Sequence, residues 1–151
     1  AGGTLMRLLV MVTALLAGHL ALAATPLTVN PDFSKQQNQP WLIMIAQAGC
    51  HFCERLESVI LQPLRASDAY TGRVQFAHVG IDRGLMVTDF DGTAIAGRDF
   101  AARYGAFGTP TLLFLDAGGR SVSEPKYGVP DAIDFYSYQI ERTLELITRS
   151  Q

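Results

Sequence analysis

The chain contains few cysteines, and neither its basic nor its acidic residues are in clear excess. The 151 residues include two cysteines, and 12 basic against 14 acidic side chains leave a formal net charge of −2 at pH 7. A closed zinc site needs four protein ligands, so a single cysteine pair does not complete one. Because the net charge is near neutral and the sequence has no basic run, no binding patch for nucleic acid is predicted, and nucleic acid is not expected as a partner.

Internal repeats, low-complexity segments and domain linkers are also missing, and the length suits one domain with one core. The one long hydrophobic run, residues 8–22, follows Met6-Arg7 and ends in small residues. This pattern predicts a signal peptide over residues 1–23, with the residues ahead of Met6 as a leading remnant. Residues 24–151 are then expected to form a single domain.

The signal peptide also predicts the compartment. Export places the domain in an oxidising environment, the periplasm if the host is a Gram-negative bacterium. The alternative is an uncleaved N-terminal membrane anchor with the domain facing the periplasm. Gly18 and His19 argue against the anchor, because they shorten the apolar run below the roughly 20 residues that a membrane span prefers.

The two cysteines, Cys50 and Cys53, lie with two residues between them at a predicted strand-to-helix junction. Residues 41–46 are a continuous apolar run, typical of a strand that is buried on both faces. After Cys50, apolar residues recur every three to four positions, which predicts a helix that Pro63 ends or kinks. The pair is therefore expected at the first turn of a helix.

That position favours redox chemistry. The unpaired N–H groups and the positive dipole end of a helix N-terminus stabilise a thiolate, and only the thiolate attacks a disulfide. Cys50 is therefore the candidate nucleophile, and Cys53, one turn further along, is placed to resolve the mixed disulfide. As a structural staple the pair would close a very short loop and would stabilise the fold little.

The rest of the chain alternates predicted strands and helices. Strands are predicted at residues 74–81, 111–115 and around 121–122, a β-hairpin over 87–95, and helices over 98–104 and from Pro130 onward. This order predicts one α/β domain with a small hairpin insertion.

The sequence resembles the thioredoxin superfamily over residues 41–148. The resemblance rests on Ala48-Gly49-Cys50-His51-Phe52-Cys53, on Gly108-Thr109-Pro110-Thr111 ahead of an apolar strand, and on the glycines Gly118, Gly119 and Gly128. It implies a thioredoxin-like fold, in which a central mixed β-sheet is flanked by helices. Within the superfamily the chain is most similar to secreted or periplasmic bacterial thioredoxin-like thiol–disulfide oxidoreductases, including those encoded with sulfur-oxidation genes.

The resemblance also implies roles for residues outside the cysteine pair. In the family the proline of the Thr109-Pro110 motif is cis and leaves a backbone edge on which an extended substrate segment docks. Thioredoxin carries a buried acid where this chain has Met44, so the usual proton acceptor of the resolving cysteine is absent. His78 and Glu54 are the candidates for a proton relay. The plain alternatives are a satisfied core or surface histidine and a solvated glutamate.

The two residues inside the cysteine motif are candidates for redox tuning. A protonated His51 would stabilise the Cys50 thiolate, while the helix end disfavours the imidazolium, so a modest rise in reduction potential is predicted. Phe52, if exposed, would offer an apolar contact to a protein substrate. Its alternative role is to cover the edge of the core.

The predicted function is periplasmic thiol–disulfide exchange without a cofactor, with reduction of specific protein disulfides favoured over oxidation. Expected partners are protein thiols and disulfides and a membrane electron donor, and a monomer is expected. The alternative from another class is a soft-metal module in which Cys50 and Cys53 bind Cu(I), aided by His51. A thioredoxin-like module with an idle cysteine pair is the third interpretation.

Overall fold

The computed structural model describes residues 27–149, and the predicted signal peptide lies outside them. The strands are β1 (Thr28–Val29), β2 (Trp41–Ala46), β3 (Gln75–Gly80), β4 (Met86–Thr88), β5 (Ala94–Ala96), β6 (Thr111–Leu115) and β7 (Lys126–Tyr127). The helices are α1 (His51–Leu56), α2 (Gln62–Ala66), α3 (Gly97–Arg103) and α4 (Ile133–Arg149). A π-helical turn, Glu57–Leu61, joins α1 to α2, and a 3-10 turn, Phe33–Lys35, precedes β2. None of these described helices is long and apolar enough to cross a membrane.

Strand β2 lies at the centre of the sheet because its side chains are apolar and almost all buried. It pairs in parallel with β3 and antiparallel with β6. The five-stranded sheet has the order β1-β3-β2-β6-β7, so parallel pairs lie on one side of β2 and antiparallel pairs on the other. The prediction of an α/β fold with a mixed central sheet flanked by helices is therefore confirmed.

The pleat of β2 divides the core into two clusters. Leu42 and Met44 lie on the side covered by α1, α2 and α4, which we call the cysteine face. Trp41, Ile43 and Ile45 lie on the opposite side, covered by α3 and the β4–β5 hairpin, which we call the hairpin face. The alternation follows from the two-residue period of a strand.

The predicted hairpin and the final helix are both present. Strands β4 and β5 pair antiparallel, and Gly92 in their connection has a φ of 86°, which favours glycine. The sequence pattern predicts an apolar stripe along the final helix, and α4 buries four of its members, Tyr136, Ile140, Leu144 and Ile147, while the fifth, Ile133, is partly buried. Its 3.6-residue period therefore covers the cysteine face with one side of the helix.

The helix that follows the cysteines does not end at Pro63. The chain stays helical to Ala66, and Pro63 follows directly after the π turn within this continuous helical segment. The π turn directly before α2 widens the helix, which relieves the contact between a proline ring and the preceding turn. Of the two outcomes predicted at Pro63, an end or a kink, the end does not occur, and the helix instead changes type directly before the proline.

The strand predicted around residues 121–122 is reduced to an isolated bridge with β6, and the backbone N–H of Val122 donates to the carbonyl of Phe114 at 2.9 Å. Ser121 forms an isolated bridge with Leu115, whereas the ordered edge strand is β7, which pairs with Thr111 and Leu112. Pro125 lies between these two pairings and has no N–H to offer to a ladder. The outer segment therefore leaves the sheet and rejoins it after the proline.

Candidate active site

The loop between β2 and α1 holds the cysteine pair at one end of the sheet. Gly49 has a φ of 68°, a left-handed conformation that favours glycine, directly before Cys50. Asp82, in the loop after β3, accepts a hydrogen bond from the backbone N–H of Ala48 at 2.9 Å. The loop is thereby tied to the neighbouring strand.

Cys50 and Cys53 form a disulfide with an S–S distance of 2.04 Å. Cys50 is the N-cap of α1, and its Sγ accepts a hydrogen bond from the backbone N–H of Cys53 at 3.1 Å. After reduction the same N–H stabilises negative charge on the Cys50 sulfur. Cys50 is partly exposed, whereas Cys53 is 5% exposed and packs into the core of the cysteine face. The greater exposure of Cys50 and the burial of Cys53 agree with an attacking and a resolving thiol, respectively. These two roles stay predictions.

The two residues between the cysteines face solvent. Phe52 is 55% exposed, and the exposed ring of His51 lies with its centroid 6.1 Å from that of Phe52. Phe52 therefore does not cover the edge of the core. Contact with substrate and tuning of the potential remain the predictions for these two residues.

The second motif lies at the same end of the sheet as the cysteines. The peptide bond between Thr109 and Pro110 is cis, and Pro110 directly precedes β6. Strand β6 begins at Thr111, which pairs with Ile45 near the carboxyl end of β2. The antiparallel pairing therefore brings the start of β6 beside the loop that leads from β2 to the disulfide.

A cavity of about 320 Å³ lies beside the disulfide. Both cysteines line it, together with Met44, Glu54, Glu57 and His78 among others. Met44 and His78 are paired residues on β2 and β3, so they reach the cavity from the same face of the sheet. Both predicted relay candidates, His78 and Glu54, therefore border the cavity that holds the sulfur atoms.

Glu57 is a site residue that the sequence interpretation missed. Its Oε2 lies 2.9 Å from Nε2 of His78, and its Oε1 contacts the guanidinium of Arg65. The side chains of His78 and Glu57 are 17% and 21% exposed. Burial acts to raise the pKa of Glu57, but the hydrogen bond and charge of His78, together with Arg65, outweigh it and hold that pKa below its ordinary value. Glu57 is therefore ionised at neutral pH.

Helical spacing is the signal that could have found Glu57. It lies one helical turn after Cys53 and therefore on the same side of the helix. Glu54, which was the predicted candidate, directly follows Cys53 and is exposed. No comparable signal points to Arg65, which approaches Glu57 only because the helix continues through the π turn into α2.

The structure offers few ligands to the soft-metal alternative. Within residues 27–149, no group of three or more histidine, cysteine or acidic side chains is arranged to hold a metal ion. The two sulfur atoms are bonded to each other, and His51 faces solvent beside them. The alternative therefore depends on reduction of the pair and on the two thiolates alone.

Residues 32–138 match a family model described as a thioredoxin-like domain. The chain belongs to this thioredoxin-like domain family. No curated protein matches it by sequence. The family and the disulfide-bonded pair at the start of α1 identify a thioredoxin-like thiol–disulfide oxidoreductase.

Solved structures share the thioredoxin-like fold at low sequence identity. Thioredoxin from Malassezia sympodialis (Mala s 13) has a TM-score of 0.58 and 14% identity, covering 87% of this chain and 98% of that one. A DsbH oxidoreductase has a TM-score of 0.57 and 19% identity, covering 87% and 93%. Thioredoxin O2 from Arabidopsis thaliana, in its oxidised state, has a TM-score of 0.54 and 21% identity, covering 78% and 94%. These likenesses concern the fold.

Proposed function

We propose that this thioredoxin-like protein reduces disulfides of specific protein partners in the periplasm. The observation that supports this most is the unequal exposure of the pair. Cys50 is accessible and receives the N–H of Cys53, while Cys53 is buried directly behind it. An accessible nucleophile and a protected resolving thiol are what a two-step exchange requires.

In the proposed reaction the reduced protein meets a partner disulfide. The Cys50 thiolate attacks one partner sulfur, an S–S bond forms between Cys50 and the partner, and the other partner sulfur leaves as a thiolate that takes up a proton. Cys53 then loses its proton and attacks Sγ of Cys50. The Cys50–Cys53 disulfide closes, and the second partner sulfur leaves and is protonated. Two electrons pass from the protein to the partner.

The partner is proposed to dock as an extended segment at the Thr109-Pro110 edge. That edge begins β6 beside the disulfide loop. Two exposed aromatic rings, Phe52 and Phe107, lie in the two chain segments involved. Such rings are suited to apolar contact with a protein, which supports a protein disulfide over a small-molecule disulfide as substrate.

Direction, compartment and electron supply are proposed from the sequence. The signal-peptide pattern of residues 1–23 supports export, and in an oxidising compartment a reductase needs electrons delivered across the membrane. We therefore propose a membrane electron donor as the second partner. We also propose that the protein acts as a monomer.

An insulin-reduction assay with a parallel Cu(I) titration tests the activity. We expect catalysed reduction of insulin disulfides and no stoichiometric Cu(I) complex at competing thiol concentrations. Tight binding of one Cu(I) without insulin reduction would support the soft-metal alternative instead.

Direction and compartment need the precursor in a Gram-negative host. Cell fractionation followed by thiol alkylation reports where the protein is and whether its pair is reduced. A periplasmic protein with a mainly reduced pair is expected. A mainly oxidised pair would indicate an oxidase, and recovery in the cytoplasm would contradict export.

A further inference from the structure

The resolving step requires a proton acceptor that the disulfide itself does not provide. Cys53 is buried on the cysteine face, and burial in apolar surroundings disfavours a thiolate. Apart from the cysteines, the titratable side chains of the described residues that line the adjacent cavity are Glu54, Glu57 and His78. These three side chains are therefore the candidate acceptors for the proton of Cys53.

We propose that His78 accepts the proton of Cys53 during resolution and that Glu57, held by Arg65, is the positioning residue that orients His78. The inference rests on the proposed disulfide exchange and deepens it. It assigns a function to Glu57 and Arg65, and it selects one of the candidate relay residues.

The contact between Glu57 and His78 determines which ring nitrogen of His78 carries the proton. An ionised carboxylate only accepts hydrogen bonds, so at the 2.9 Å contact Nε2 of His78 is the donor. In the neutral ring the proton is then on Nε2, and Nδ1 carries the free lone pair. Nδ1 has no hydrogen-bond partner among residues 27–149, which leaves it available as a base.

Arg65 fixes the other side of the carboxylate. Its guanidinium contacts Oε1 of Glu57, so that Oε2 remains for His78. When His78 takes a proton, the imidazolium faces the carboxylate, and their attraction stabilises the charged ring in a partly buried site. Glu57 thus favours proton acceptance by His78 without touching the reacting sulfur.

Glu54 fits this role less well. It is exposed, and it forms no side-chain hydrogen bond or ion pair within the described part of the chain. Among residues 27–149, the charged groups that line the cavity beside His78 or pair with its partner are Glu57 from the π turn, Arg65 from α2 and the exposed Glu54 from α1.

The proton of Cys53 passes to Nδ1 of His78, and the resulting thiolate attacks Sγ of Cys50. The bond between Cys50 and the partner sulfur breaks, and that sulfur leaves as a thiolate and is protonated from solvent. His78 returns its proton to solvent before the next turnover. No further oxidant or reductant takes part.

Single-turnover kinetics of the reduced full chain with dithiobis(nitrobenzoate) separate the two steps. Attack by Cys50 releases the first coloured thiolate, and resolution by Cys53 releases the second. In His78→Gln and Glu57→Gln we expect the first release to stay within about twofold of the parent, and the second to slow by about tenfold at about pH 6.5. The gap should narrow as the pH rises toward about 9, because hydroxide then removes the thiol proton increasingly often without the help of His78.

Controls decide between this role and a structural one. Glu145→Gln removes a carboxylate from an exposed ion pair with Arg142 on α4 and should change neither release. The inference is overturned if the second release is unchanged in both variants, or is slowed equally at every pH. It is also overturned if Glu54→Gln slows it instead. Failure of the first release in the parent would overturn the proposed function itself, and the first release in each variant reports that the site is folded.

Discussion

The hairpin face and the cysteine face of the sheet are built on the same strands but differ in the side chains that they carry. On the hairpin face, Phe33 is fully buried, and its ring centroid lies 4.9 Å from that of Trp41, 4.8 Å from that of Phe90 and 5.0 Å from that of Phe100. Such ring pairs add stability beyond the burial of their area. This face therefore contributes packing.

The cysteine face combines an apolar core with reactive and charged groups at one end. Its cluster contains Cys53, and the Glu57–His78 pair lies beside that residue at the cavity. A partly buried carboxylate is tolerable because His78 and Arg65 both pair with it. Both faces contribute packing, but the reactive cysteines and the Glu57–His78 pair lie only on the cysteine face. Substitutions on the hairpin face should therefore change stability without changing the chemistry.

The largest expected effect comes from the cysteines themselves. Cys50→Ser should abolish insulin reduction, because no thiolate remains to attack, while Cys53→Ser should accumulate mixed disulfides with partners. Non-reducing electrophoresis of trapped complexes checks both. Trapping by Cys50→Ser instead would show that the attacking and resolving roles are reversed.

A substitution on the hairpin face should change stability alone. Phe33→Ala is expected to lower the free energy of unfolding by about 3–5 kcal/mol, because it leaves a cavity among three aromatic rings. Insulin reduction by the molecules that remain folded should not change. Denaturant unfolding and activity at low temperature measure the two quantities.

The substitution to compare with Phe33→Ala is Phe52→Ala, which removes the exposed phenylalanine ring between the two cysteines. Its free energy of unfolding should change by less than about 0.5 kcal/mol, while exchange with protein substrates should weaken. If Phe33→Ala impaired exchange as strongly as Phe52→Ala, the separation of the two faces would not hold.

The next effect concerns the acid sensitivity of the cysteine face. The pKa of Glu57 is lowered in the folded protein, so its contribution to stability is present above the unfolded value and is lost as the pH falls through the folded value. In Glu57→Gln the free energy of unfolding should therefore fall less steeply with acid than in the parent. At neutral pH we expect the variant to be about 1–3 kcal/mol less stable, since it weakens hydrogen bonds to a charged group.

Denaturant unfolding at a series of pH values measures this difference. Glu54→Gln serves as the comparison because its exposed side chain has no ion pair within residues 27–149. Parallel acid profiles of the parent and Glu57→Gln would mean that the Glu57–His78–Arg65 contacts do not contribute to folding.

The smallest expected effect is that of His51. His51→Pro should lower the reduction potential of the pair by about 30 mV, which corresponds to about 1.4 kcal/mol for a two-electron couple. His51→Gln removes the charge without restricting the backbone and should give most of the same shift. Because neutral imidazole offers no charge to the thiolate, the shift should fade as the pH rises. Equilibration with glutathione measures it, and equal potentials in all three proteins would leave the helix terminus as the cause of reactivity.

Local sequence pattern was enough to predict the central strand, the junction that holds the cysteines, the hairpin and the last helix. Each depends on a short-range signal: an apolar run in β2, the change of period after Cys50, the Asp91-Gly92 turn and the stripe of α4. The fold class followed from their order. The edge strand β7 was misplaced because pairing with β6 resumes only after Pro125, and a strand of two residues has almost no pattern of its own.

The surroundings of Cys53 depend on tertiary contacts. The sequence was enough to identify the cysteine pair and to predict that Cys50 lies at the start of a helix. It did not determine that His78 meets Glu57, because the two are 21 positions apart and belong to different elements. The parallel register of β2 and β3 places His78 opposite Met44, and the π turn brings Glu57 and Arg65 to the same side. Strand register and helix type are set by packing over the whole domain, and for that reason the polar group beside Cys53 emerged only from the fold.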